Sequence, residues 1–161
     1  TRRSSDLRNL NIPRKQAATL IQSYFETYPK IRGYMDQCVA DGRAHGFVET
    51  MYGRRRYTPE LASKNYNVRS FGERAAMNAP IQGTAADIIK AAMIHVHETL
   101  KKECPQAKLI LQVHDELIVD VPRDQAEKVK KILTDCMQNV LPLDVPLIAE
   151  ADSGKNWLEA K

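Results

Sequence analysis

The chain has 161 residues, 43% of them apolar and 27% charged, with a formal net charge of +4 and three cysteines. That length allows one moderate core with a small appended lobe, and no run of about 18 apolar residues is present to span a membrane. Cys38, Cys104 and Cys136 are odd in number and far apart. They exclude a disulfide framework and a cysteine metal site, and fit a reduced, cytoplasmic protein without a secretory leader.

Asn11 and Pro13 predict a helix start, because Asn caps well and Pro is tolerated in the first turn. Ala17, Ala18, Leu20, Ile21, Tyr24 and Phe25 continue at helical spacing to about Tyr28, where Pro29 breaks the pattern. A second helix is expected from about Lys30 to His45, with Gly46 ending it in a left-handed conformation. Phe47 to Tyr52 reads as a strand, and Gly53 turns it into Arg54-Arg55-Arg56-Tyr57 as a two-stranded β-ribbon.

Two helices are predicted next, over about 68–79 and 84–103, with Pro80 ending or kinking the first and Pro105 stopping the second. Leu109 to Val113 and Leu117 to Val121 form a strand pair joined at an acidic corner, Asp115-Glu116. A helix over about 123–140 follows, then a strand at Leu147–Ala151, with Trp157-Leu158 placed to pack the tail down. Helices followed by strand, strand, helix and strand argue for an α+β fold, a small antiparallel sheet covered on one side.

Charge is shared unevenly. Residues 1–74 carry fourteen Lys/Arg against seven Asp/Glu, whereas residues 75–161 carry ten against thirteen. One half suits a polyanion and the other holds the acidic corner, a combination that fits nucleic-acid chemistry. Arg54, Arg55 and Arg56 repel one another, so a phosphate-facing role is the economical reading, with generic surface charge as the alternative. Arg74, Asn78 and Gln82 stand at i, i+4 and i+8, one helix face if the helix continues through Pro80. All three donate to the acceptors that every base pair offers in the minor groove; the plainer reading is a polar face satisfied by nearby loops.

At the corner, Asp115 and Glu116 offer oxygen ligands to a hard divalent cation, although carboxylates are also ordinary turn residues. If Leu111 and Val113 face the core, Gln112 and His114 face the other way, leaving His114 free for a ligand rather than satisfied inside. His95 and His97 share no helix face, and Asp87 is expected in the first turn of its helix, with no catalytic role.

Val113-His114-Asp115-Glu116 between apolar strands, the run from Arg74 to Asp87, and Gly53-Arg54-Arg55-Arg56-Tyr57 occur in one chain. In kind, order and spacing they resemble the C-terminal polymerase part of the bacterial family A DNA polymerases, the DNA polymerase I family. The similarity runs from Asn9 to Lys161. It implies part of the fingers subdomain over 1–80, with the β-ribbon and a DNA-contacting helix. Residues 81–161 would form the C-terminal part of the palm, with the His-Asp-Glu hairpin.

By that resemblance Asp115 is a ligand for two catalytic Mg²⁺ ions, Glu116 supports the site and His114 lies near the primer end. Arg74, Asn78 and Gln82 would follow the minor groove at the primer terminus, and Arg54, Arg55 and Arg56 would lie near template DNA. Primer–template DNA and dNTPs are then the partners, with no membrane.

The family's earlier palm aspartate motif and its triphosphate-gripping fingers helix do not occur here, and Thr1 to Arg8 begins just beyond where that helix should finish. Asp120, Glu150 and Asp152 have no motif support as substitutes. The opening on Thr1 rather than Met points the same way, to a C-terminal fragment that is inactive alone and holds half a metal site. Its open sheet edge would favour self-association. A stand-alone DNA-binding module is the alternative; a metal-dependent nuclease would need more clustered carboxylates.

Overall fold

Proline and glycine set the boundaries in the first half of the molecule. The computed structural model describes residues 13–160. Helix α1 spans Arg14–Thr27, with Pro13 at the N-cap position; the predicted Asn11 cap lies outside the described residues. Helix α2 spans Pro29–His45 and starts on its own proline, whose missing N–H is no loss in a first turn. It ends at Gly46, whose φ of 78° is the left-handed conformation that a side chain disfavours. Helix α1 contacts α2, and its Ala17 is buried, but Leu20, Ile21 and Tyr24 of the predicted inner face are exposed.

Strand β1, Phe47–Glu49, pairs antiparallel with β2, Arg55–Tyr57, in the register Phe47↔Tyr57, Val48↔Arg56 and Glu49↔Arg55. The predicted strand to Tyr52 is cut short at Glu49. The Thr50 hydroxyl accepts from the Tyr52 and Arg54 amides at 3.3 and 3.2 Å, and Gly53, with φ 78°, closes the turn. Val48, Leu61 and Ala76 form the small core of this unit, with Val39 and Ala79 against it. Buried Thr58 donates its hydroxyl to the Gly42 carbonyl at 3.2 Å, tying the ribbon to α2.

Helix α3 spans Tyr66–Glu103 as one element of 38 residues and contains Pro80, so the predicted break between two helices is wrong. Asn65 accepts from the Asn67 and Val68 amides as a capping side chain does. An interior proline costs a helix about 3 kcal/mol. Pro80 is itself buried within the helix. Gly72, Ala76, Pro80 and Thr84 are buried at four-residue intervals, and Ala92, Val96, Leu100 and Cys104 continue the row. Asp87 therefore lies mid-helix rather than in a first turn.

The chain divides into two compact units, Thr1–Pro80 and Ile81–Lys161. In the second, strand β3, Lys108–Val113, pairs antiparallel with β4, Glu116–Asp120. A short 3₁₀ turn, Arg123–Gln125, leads into helix α4, Ala126–Gln138. Val96, Leu100, Cys104, Val129, Ile132 and Cys136 are core, and Leu117 and Val119 of β4 pack against them. Each such aliphatic side chain contributes about 1.5–3 kcal/mol when fully buried.

Two expectations fail in the tail. Leu147–Ala151 is not a strand, since no strand among the described residues pairs with it; Gln138 instead donates to the Ala149 carbonyl at 3.0 Å. Trp157 and Leu158 are exposed, and the tail closes locally through Asn156 and Glu159. The fold is α+β, with helices and two small antiparallel sheets. Among the described residues no helix is long and apolar enough to cross a membrane.

Candidate nucleic-acid interface

The corner of the β3–β4 hairpin differs by one residue from the sequence reading. Val113 pairs with Glu116, so the two-residue turn is His114-Asp115 and Glu116 already belongs to β4. Register shifts between Leu109 and Leu111, an irregularity that breaks the simple alternation along β3. Leu111 is consequently 52% exposed rather than in the core. His114 therefore sits in the turn itself rather than on a strand face.

His114 has φ 53° and is the one non-glycine residue with positive φ among those described. That conformation brings Cβ close to the backbone and costs about 1–2 kcal/mol for an L-residue. Gln112 donates its side-chain amide to the His114 carbonyl. Asp115 is exposed, and no hydrogen bond or ion pair among the described residues engages its carboxylate. Both oxygens are open to an incoming cation. Glu116 is exposed at the start of β4.

Mg²⁺ takes oxygen ligands, keeps several waters and is held by one or two carboxylates together with substrate phosphates. Asp115 fits that donor chemistry. Among the described residues no group of three or more His, Cys, Asp or Glu side chains lies together.

On α3, Arg74, Asn78 and Gln82 are all exposed, in a row two positions along from buried Gly72, Ala76, Pro80 and Thr84. Arg74 and Asn78 lie four residues apart on the helix within the first unit, and Gln82 follows after Pro80 in the second. Arg74 Nη1 donates to Ser70 Oγ at 2.9 Å, which holds its base along the helix.

The arginine ribbon is less free than its sequence suggests. Arg55 Nε lies 2.7 Å from Glu49 Oε1, its direct cross-strand neighbour, and its guanidinium stands 4.3 Å from the Phe47 ring centroid. Arg56 Nη2 lies 3.9 Å from Glu60 Oε1. Glu49 and Glu60 thus relieve part of the repulsion that had made a phosphate-facing role the economical reading. The signal was available only through register: a strand–turn–strand of this length sets residues 49 and 55 opposite each other.

The profile of DNA polymerase family A matches residues 5–159. The chain belongs to DNA polymerase family A. Among relatives in the family, DNA polymerase I of Bacillus caldotenax is 48% identical over 153 residues, covering 95% of this chain and 17% of the relative. DNA polymerase I of Lactococcus lactis subsp. cremoris is 49% identical over 154 residues, covering 96% of this chain and 18% of the relative. The chain thus spans less than a fifth of the length of these family A polymerases. Among solved structures, the polymerase domain of Pol1 from M. smegmatis, in complex with DNA primer-template and dNTP, superposes with a TM-score of 0.90. It is 41% identical and covers 96% of this chain and 27% of its own.

Proposed function

We propose that the chain contributes one part of a template-directed DNA polymerase that transfers nucleotides from dNTPs to a primer 3′-hydroxyl. In that reaction the 3′-oxygen bonds to the α-phosphorus, the bond to the β-phosphate breaks and pyrophosphate leaves. When bound, divalent ions supply Lewis acidity at the 3′-hydroxyl and at the leaving group. Asp115 is the carboxylate that holds them, Glu116 supports it, and His114 lies beside the primer end. The observation that carries this reading is the exposed, unpaired Asp115 on a left-handed hairpin turn in a chain of this family.

Residues 1–80 are read as part of the fingers and 81–161 as the C-terminal part of the palm. Arg74, Asn78 and Gln82 follow the minor groove near the primer terminus without reading sequence, because their donors suit acceptors common to all base pairs. Arg54, Arg55 and Arg56 lie near template phosphates. The 161 residues alone do not incorporate nucleotides, because the family's earlier palm aspartate motif and its triphosphate-gripping helix do not occur in this sequence.

The test is primer extension by the complete polymerase carrying Asp115→Ala. Extension should be lost, and near-normal extension would overturn the assignment. Templated incorporation by the 161-residue chain, absent from its Asp115→Ala control, would overturn the claim of inactivity.

A further inference from the structure

We infer that Gln112 is a positioning residue, a side-chain strap that fixes the peptide unit between His114 and Asp115. Gln112 lies near the end of β3, two residues before the His114 carbonyl, within reach of its own side chain. Its amide donates to the His114 carbonyl. That carbonyl belongs to the central peptide of the two-residue turn, whose other half is the Asp115 N–H. Two-residue turns come in pairs that differ by a flip of this central peptide. A carbonyl held from outside resists the flip.

The need for a strap is local. His114 adopts φ 53° without being glycine, so the turn does not gain its shape from backbone freedom at that position. Val113↔Glu116 pairing closes the hairpin around it but leaves the peptide plane undetermined. Gln112 supplies the missing constraint from a residue with no contact to the Asp115 carboxylate. Its chemical consequence rests on the reading of Asp115 as a metal ligand: the strap sets where that carboxylate projects before any cation arrives.

Three variants of the full 161-residue chain test this by NMR without metal: Gln112→Met, His114→Gly, and the two combined. The intraresidue HN–Hα cross-peak of residue 115 is the readout: it is strong only at positive φ, which residue 115 adopts when the 114–115 peptide flips and does not adopt here. Gln112→Met keeps the length of the side chain and removes its donor. It should raise the ratio of positive-φ to negative-φ conformers at residue 115 by about 3- to 10-fold, the effect of one net hydrogen bond. His114→Gly should restore the turn in the double variant, because glycine takes positive φ without a strap.

A merely structural role for Gln112 predicts no such rescue. An unchanged cross-peak in Gln112→Met, or a double variant as disturbed as the single one, would overturn the inference. Because the readout needs no cation, failure of Asp115 to bind metal would overturn the ligand assignment and leave this result standing.

Discussion

Gly72 lies so close to Glu60 that a Cβ at position 72 would stand 2.9 Å from the Glu60 Cβ and 3.0 Å from the Leu61 amide nitrogen. The start of α3 is thereby pressed against the 3₁₀ turn Pro59–Ala62, which holds the ribbon's exit. Gly72→Ala gains about 1 kcal/mol of helix propensity but forces backbone apart, an overpacking cost of about 1–3 kcal/mol. Net destabilisation is expected. Gly33, in α2, has nothing within 4 Å of a built Cβ, so Gly33→Ala should stabilise by about 0.5–1 kcal/mol. Thermal unfolding of the two variants should move Tm in opposite directions.

Glu49 holds the Arg55 guanidinium at 2.7 Å, and on the proposed function it would compete with template phosphates for that cation. Removing its charge in Glu49→Gln should free the guanidinium, tighten duplex binding at low salt and steepen the salt dependence. Each additional phosphate engaged adds about −0.9 to the slope of log K against log salt. A titration over salt concentration in which the slope is unchanged would show that Arg55 does not face phosphate.

Gln82 is expected to act at the primer terminus rather than in overall affinity. In the complete polymerase, Gln82→Ala should lower kcat/KM for extension of a matched primer by roughly 5- to 30-fold, the value of one or two hydrogen bonds. Duplex affinity should change far less. Equal discrimination between matched and mismatched primer ends in variant and parent would remove the role.

Ile110 and Leu111 are both about half exposed on β3, on a two-stranded sheet whose outer edges are unpaired among the described residues. Such an edge templates pairing with another chain. The 161-residue chain should therefore show a sedimentation coefficient that rises with concentration, and Ile110→Lys should suppress the rise. A coefficient independent of concentration would argue against self-association.

What the sequence revealed depended on how local each signal was. Gly46 and Gly53 mark left-handed positions through their own backbones, so the end of α2 and the ribbon turn were legible. Pro80 was misread because its local penalty argues for a break, whereas it is buried inside a helix that continues through it. The turn was placed one residue late because Asp115 and Glu116 are both turn-forming types, whereas the Val113–Glu116 pairing that closes the turn is set by register. Leu147–Ala151 had the composition of a strand but not a partner. Glu49 and Gln112 escaped notice because their importance lies in register and in a side-chain bond, neither of which shows in residue type.

The location of a bound ion tests the central claim most directly. Crystals of the complete polymerase with primer duplex, incoming nucleotide and Mn²⁺ would reveal the ion by its anomalous scattering. A peak about 2.1 Å from an Asp115 carboxylate oxygen is predicted, the spacing of a small octahedral cation and its oxygen ligand. An ion bound elsewhere, with the Asp115 side chain turned away from it, would contradict the reading.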